Sequence, residues 1–262
     1  MKQSTRLSKV RKGVYILPNL FTTASMFCGF FSIIRSINAL NRPEAHFSDA
    51  AWAIIIAEFF DGIDGRIARL TKTTSRFGIE YDSLSDLLSF GVAPAILMYV
   101  WGLKPYGRLG WLAAFLYFVC GALRLARYNT NTSSAAKRYF QGLPIPCAAG
   151  MIAITIILHE YWGGYGNTSH LYLIICAYIL AFLMVSQIEY RSFKDLKFTT
   201  RESFSALIFI VLLLIVVALE PEIMLFLIGI SYVVFFPLRS LYIKLRKPKS
   251  EGISDKNPAE NL

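Results

Sequence analysis

Asp61 and Asp64 close one apolar run and Asp82 and Asp86 open the next, so four carboxylates flank one short basic connection. An ionisable side chain inside a spanning helix costs about 2.5 to 3.5 kcal/mol at the bilayer centre on insertion scales, and less near an interface. Four of them at one depth need a chemical reason. At roughly 100° per residue, Asp61, Asp64, Gly65 and Ala68 share one face of the second helix, and Gly78, Asp82 and Asp86 line one face of the third. The two helices are consecutive and antiparallel, which lets those faces meet in one pocket. Carboxylates that close repel one another and take up protons, unless hard cations such as Mg²⁺ or Mn²⁺ neutralise them through oxygen ligands. Two such ions make a clamp suited to displacement at phosphorus, where entering and leaving oxygens both need stabilising. Gly65 and Ala68 remove bulk from the same face, and Arg69 sets a fixed positive charge about one turn away for phosphate oxygens. The competing structural reading is an ion-pair belt, with the aspartates matched to Arg66, Arg69, Arg76, Arg124 and Arg127.

The elements that must position these residues are spanning helices. In 262 residues, 55% are hydrophobic and only 17% charged, with a mean hydropathy of +0.48. Disorder and an ordinary soluble fold are both excluded by that balance. Since a spanning helix needs about 20 apolar residues, the chain reads as an all-α integral membrane protein. Approximately eight helices are predicted, near 17–36, 48–71, 82–102, 109–128, 145–161, 169–188, 203–219 and 222–243, with Gly and Pro marking the breaks. An N-terminal cytoplasmic start places 23 of the 27 Lys and Arg on the cytoplasmic side and leaves Arg35, Arg42, Lys104 and Arg108 opposite. Both termini and the aspartate pocket are therefore expected at the cytoplasmic face of a multi-pass cell-membrane protein. The net charge of +10 then reads as a topology signal touching anionic headgroups, with no nucleic-acid partner implied. The first apolar run is kept as a helix, since it lacks a small-residue cleavage site and more spans follow. Cys28, Cys120, Cys147 and Cys176 show no CxxC spacing and support neither disulfides nor zinc.

The motifs resemble a family. Asp61-Gly62-Ile63-Asp64-Gly65-Arg66-Ile67-Ala68-Arg69, eight residues, then Gly78-Ile79-Glu80-Tyr81-Asp82-Ser83-Leu84-Ser85-Asp86 is similar to the full signature D-x-x-D-G-x-x-A-R-x8-G-x3-D-x3-D of the CDP-alcohol phosphotransferases. Pro18-Asn19-Leu20-Phe21-Thr22, Phe90-Gly91-Val92-Ala93-Pro94-Ala95, Arg124-Leu125-Ala126-Arg127-Tyr128-Asn129 and Phe140-Gln141-Gly142-Leu143-Pro144-Ile145-Pro146 resemble the bacterial and archaeal members that use serine. The resemblance implies a family-like catalytic bundle in the first six helices (residues 1–188), two additional helices over 189–246 and a polar cytoplasmic tail over 247–262. It implies that Asp61, Asp64, Asp82 and Asp86 hold two divalent cations, that Asp86 also takes the acceptor's proton, and that Asn19, Thr22, Gly65, Ala68, Arg69 and Gly78 line the CDP portion. The implied reaction is CDP-diacylglycerol plus L-serine giving phosphatidylserine plus CMP, in a homodimer.

Serine brings a carboxylate and an ammonium, so its site should offer a cation and an acceptor. Arg124, Arg127 and Asn129 are candidates for the carboxylate and Glu80 for the ammonium, with positive-inside anchoring as the alternative for the arginines. Glu58, one turn deeper than Asp61, is expected to pack, protonated or hydrogen-bonded, and not to ligate. The rival readings are a sister enzyme using glycerol phosphate, inositol phosphate or another alcohol, and, from other classes, an intramembrane prenyltransferase or a cation-coupled transporter. The prenyltransferase is disfavoured because its acidic motifs lie in separated helical halves. Against the transporter stands the lack of an internal repeat or of paired broken segments.

Overall fold

A computed structural model describes residues 2–40, 46–71, 75–130, 139–164, 171–191, 211–212 and 219–246, with side chains from residue 17 onward except at 139–141, 189, 191, 241 and 243–246. The chain runs through α1 (Lys2–Ala39), α2 (Ser48–Thr71), α3 (Arg76–Asp86), α4 (Ala93–Met98), α5 (Arg108–Thr130), α6 (Ile145–Tyr161), α7 (Leu171–Val185) and α8 (Pro221–Arg246). Among the described residues, four stretches are long and apolar enough to cross a membrane: Leu17–Ala39, Arg76–Tyr106, Arg108–Thr130 and Pro221–Ser240. The helices Ile145–Tyr161 and Leu171–Val185 are shorter and apolar. Large apolar side chains stand exposed along the outer faces, among them Phe27 at 66% and Phe182 at 72%, as lipid contact requires. This is an all-helical, multi-pass membrane architecture, with one small addition. Strands β1 (Tyr139–Gln141) and β2 (Glu189–Arg191) form an antiparallel pair with Phe140 opposite Tyr190. The expected helix over 203–219 lies almost wholly outside the described residues, as does the 247–262 tail, so an eight-span count is not reached from them.

Local chemistry explains where the helices begin. Ser75 caps α3 by accepting from the Gly78 N–H at 2.9 Å, so this helix starts six residues earlier than hydropathy predicts, and Asp82 and Asp86 sit within it. The first turn of α2 is capped from outside, since Glu160 Oε1 accepts from the backbone N–H groups of Phe47 and Ser48. At α6 the Pro144-Ile145-Pro146 run supplies prolines where the missing N–H groups cost nothing. Gly142 adopts φ 82°, a left-handed conformation that turns the chain from β1 toward α6, while its N–H bonds Ile188 O at 2.9 Å.

After Asp86 the helix loosens into a π-helical turn, Leu87–Val92, before α4. Pro94 has no N–H to offer the Phe90 carbonyl four residues back, and the Ala93 N–H reaches Leu88 O instead. The Phe90 carbonyl accepts from Tyr117 Oη at 3.0 Å, which ties α5 to this turn and meets a backbone acceptor in the apolar interior. A second π turn, Tyr99–Leu103, leads to the break at Pro105.

Close helix contacts use small and hydroxyl residues. A Cβ on Gly29 would come within 2.7 Å of Ser89 Cα, so α1 and the π turn touch backbone to backbone. Ser89 Oγ donates to Ser25 O at 3.0 Å and Ser25 Oγ donates to Ala57 O at 3.1 Å. These bonds clamp α1 between α2 and the third helix, and they fix the floor of the aspartate pocket.

Candidate active site

Pro18, just before the pocket, lies inside α1, and Asn19 and Thr22 follow it one turn apart. Thr22 is buried, and its hydroxyl donates to Asp64 Oδ2 at 2.8 Å while its carbonyl accepts from Ser85 Oγ at 3.0 Å. One threonine thereby locks α1 to both aspartate-bearing helices.

The four aspartates converge as their spacing predicts. One carboxylate oxygen from each of Asp61, Asp64 and Asp82 lies within 4.8 Å of the others, an arrangement that could hold a metal ion. Asp86 sets its carboxyl against that of Asp61 and faces Asp82 and Asp64. Asp64 is 4% exposed, and Oδ1 of both Asp82 and Asp86 is buried without a hydrogen-bond partner. Among the described residues none of the four forms an ion pair with Lys or Arg; the ion pairs found are Arg35–Asp49 and His46–Glu160, which involve neither the aspartates nor their neighbouring arginines. The ion-pair belt is therefore absent there. Like charges gathered in a poorly solvated pocket, with acceptor atoms unsatisfied, offer a donor set that could hold a hard cation.

Space opens beside them. Nothing lies within 4 Å of a Cβ built on Gly62, and on Gly65 such an atom would meet only Arg69 Nη1, at 3.6 Å. Ala68 is half-buried and Arg69 exposed. Across the pocket, a Cβ on Gly78 would stand 3.5 Å from Asn19 Oδ1, so Asn19 and Gly78 adjoin. The six residues expected around the CDP portion thus frame the aspartates from α1, α2 and α3.

The four acceptor candidates separate. Arg124 on α5 lies within electrostatic reach of Asp86, and its Nε is buried without a partner. Asn129 Nδ2 donates to Ser83 Oγ at 2.9 Å, beside Asp82. Arg127 extends to Val185 O at the end of α7, at 3.4 Å, where a cation suits the helix C-terminus. Glu80 is exposed and belongs to neither the metal-capable cluster nor the surroundings of Arg124. Glu58 packs against α6, where a Cβ on Gly150 would come within 2.6 Å of its Oε1. Sequence reasoning passed over Ser75 and Ser85, although a serine three residues before Gly78 is a readable cap signal.

Residues 15–185 match the family described as CDP-alcohol phosphatidyltransferase. The chain belongs to that family. Among similar proteins, the CDP-diacylglycerol–serine O-phosphatidyltransferase of Helicobacter pylori is 39% identical over 203 residues, covering 77% of this chain and 83% of the relative. The enzyme of the same name from Mycobacterium tuberculosis is 33% identical over 239 residues, covering 87% and 79%. An archaetidylserine synthase from Methanothermobacter thermautotrophicus is 37% identical over 177 residues, covering 66% and 69%.

Proposed function

We propose that this protein transfers the phosphatidyl group of CDP-diacylglycerol to the hydroxyl of L-serine, giving phosphatidylserine and CMP. The observation that carries the reading is the convergence of Asp61, Asp64, Asp82 and Asp86 with no salt bridge to Lys or Arg among the described residues, in a member of this family. Serine as the acceptor is supported by the names of the similar enzymes.

The four aspartates hold two divalent cations, Mg²⁺ or Mn²⁺, which when bound neutralise the diphosphate and favour displacement at phosphorus. Asp86 accepts the proton of the serine hydroxyl. The serine oxygen then bonds to the phosphorus that bears diacylglycerol, and the bond from that phosphorus to the bridging oxygen breaks, so the electron pair leaves with CMP. Asn19, Thr22, Gly65, Ala68 and Gly78 shape the CDP cleft, and Arg69 meets phosphate oxygens. Thr22 keeps Asp64 aimed into the pocket. Arg124 and Asn129 face the acceptor side, whereas Arg127 and Glu80 are better suited to holding α7 and to the outer flank.

The positive-inside split supports a cytoplasmic pocket with both termini on that side. The same reading has eight spans, a catalytic bundle over 1–188, two additional helices over 189–246, a tail over 247–262, and a homodimer. A panel of acceptors offered to the purified protein with CDP-diacylglycerol tests the function through CMP release. L-serine should support it, while glycerol phosphate and inositol phosphate should not. Release with a phosphorylated alcohol alone would place the protein in a sister branch.

A further inference from the structure

Beyond the aspartates lies a second buried polar zone to which the proposed mechanism gives only Arg124. The Arg124 guanidinium lies within electrostatic reach of Asp86, Cys147, Tyr128 and Tyr232. Its Nε has no partner, and neither does the hydroxyl of Tyr190, a residue of β2 with no exposed surface. Tyr190 packs on two aromatic residues of α8, with ring centroids 5.6 Å from Tyr232 and 5.2 Å from Phe236. Tyr232 and Phe236 are themselves edge to face at 5.2 Å. α8 lies against α6, the helix that carries Cys147. The chain beyond residue 185, outside the stretch that matches the family, therefore returns to α6 and brings Tyr232 within electrostatic reach of Arg124.

The buried Nε of a half-buried guanidinium and the hydroxyl of a buried phenol, both without a partner, are costly unless a ligand meets them. The chemistry they can meet is specific. A carboxylate is a planar monoanion that accepts from a guanidinium edge and from neutral hydroxyls. A phosphate monoester carries a second charge, for which phenols offer no counter-ion.

We propose that Arg124, Tyr190 and Tyr232 form the chamber that receives the carboxylate of an amino-acid acceptor, so that the β hairpin and the last helix select the alcohol. This rests on the proposed function and deepens it by assigning specificity to residues outside the aspartate motif. Tyr190 and Tyr232 act as positioning residues. They hold the carboxylate end while the hydroxyl end points toward Asp86.

Tyr190→Phe and Tyr232→Phe remove one oxygen each and keep the rings that pack on Phe236. Steady-state kinetics on the full-length variants should show the KM for L-serine raised about 10-fold or more, as for a lost hydrogen bond to a charged group. Neither kcat nor the KM for CDP-diacylglycerol should change more than about 2-fold, since the ring contacts survive. Preference for L-serine over ethanolamine, which keeps the hydroxyl and the amine but lacks the carboxylate, should fall in parallel. A purely packing role would lower thermal stability and kcat without touching that preference. Unchanged serine KM and unchanged preference in both variants would overturn the proposal. Should a variant fail to accumulate, competition on the wild type decides: serine methyl ester, with its carboxylate masked, should inhibit at least about 10-fold more weakly than serine binds, and equal potency would overturn it. If the wild type consumes no serine at all, it is the proposed function that fails.

Discussion

Thr22 on α1 donates a 2.8 Å hydrogen bond to Asp64 on α2, and the same residue's carbonyl accepts from Ser85 on α3. A neutral hydroxyl thus aims one of four crowded carboxylates. Thr22→Val keeps the shape and removes the donor. CMP release should fall about 10-fold or more, in line with a lost bond to a charged group, and Thr22→Ser should restore most of it. Rates for both variants, measured across a Mn²⁺ titration, check this.

Metal removal is the next expectation. Because the pocket gathers carboxylates that form no salt bridge with Lys or Arg among the described residues, EDTA should abolish turnover and either Mg²⁺ or Mn²⁺ should restore it. Turnover that persists in thoroughly chelated protein would reject the cation reading.

Ligation and base chemistry can be separated within the cluster. Asp61→Asn or Asp64→Asn should weaken cation affinity and with it both nucleotide-lipid binding and turnover. Asp86→Asn should lower the single-turnover rate by roughly 10² to 10⁴-fold with much smaller loss of CDP-diacylglycerol binding. Rescue of Asp86→Asn to the wild-type rate by Mn²⁺ alone would make that residue a ligand and not the base.

Packing makes its own prediction at Gly29. A methyl there would stand 2.7 Å from Ser89 Cα, so Gly29→Ala must push α1 away from the π turn. A destabilisation of about 1 to 3 kcal/mol is expected, read as a lower unfolding midpoint in detergent, with activity falling as Thr22 and Asn19 move along with α1.

The aspartates were legible in the sequence because charge in an apolar run is expensive and their spacing puts Asp61 with Asp64, and Asp82 with Asp86, on single helix faces. Most helices were legible for the same reason, through hydropathy. Hydropathy could not place the start of α3, which Ser75 sets by capping, nor the π turn after Asp86, which follows from the missing N–H of Pro94. Hydroxyl partnerships such as Thr22 with Asp64 depend on which helices touch, and a one-dimensional pattern does not carry that. Tyr190 and Tyr232 were invisible as site residues because, in sequence, they are aromatics in or beside apolar runs; only the return of α8 onto α6 brings Tyr232 within reach of Arg124 and against Tyr190.

Orientation has a direct readout. Single cysteines at positions 5 and 165, in a background cleared of the four native ones, should label from opposite sides of the membrane, with position 5 cytoplasmic. Labelling of both from outside would reverse the placement of the pocket.

The central claim is that these four aspartates move a phosphatidyl group onto serine. Its most direct test counts CMP and phosphatidylserine together, in purified protein given CDP-diacylglycerol, Mn²⁺ and isotopically labelled L-serine. One phosphatidylserine per CMP is predicted, with both products lost in Asp86→Asn. CMP formed without serine in the lipid product, or serine transfer undiminished in Asp86→Asn, would contradict it.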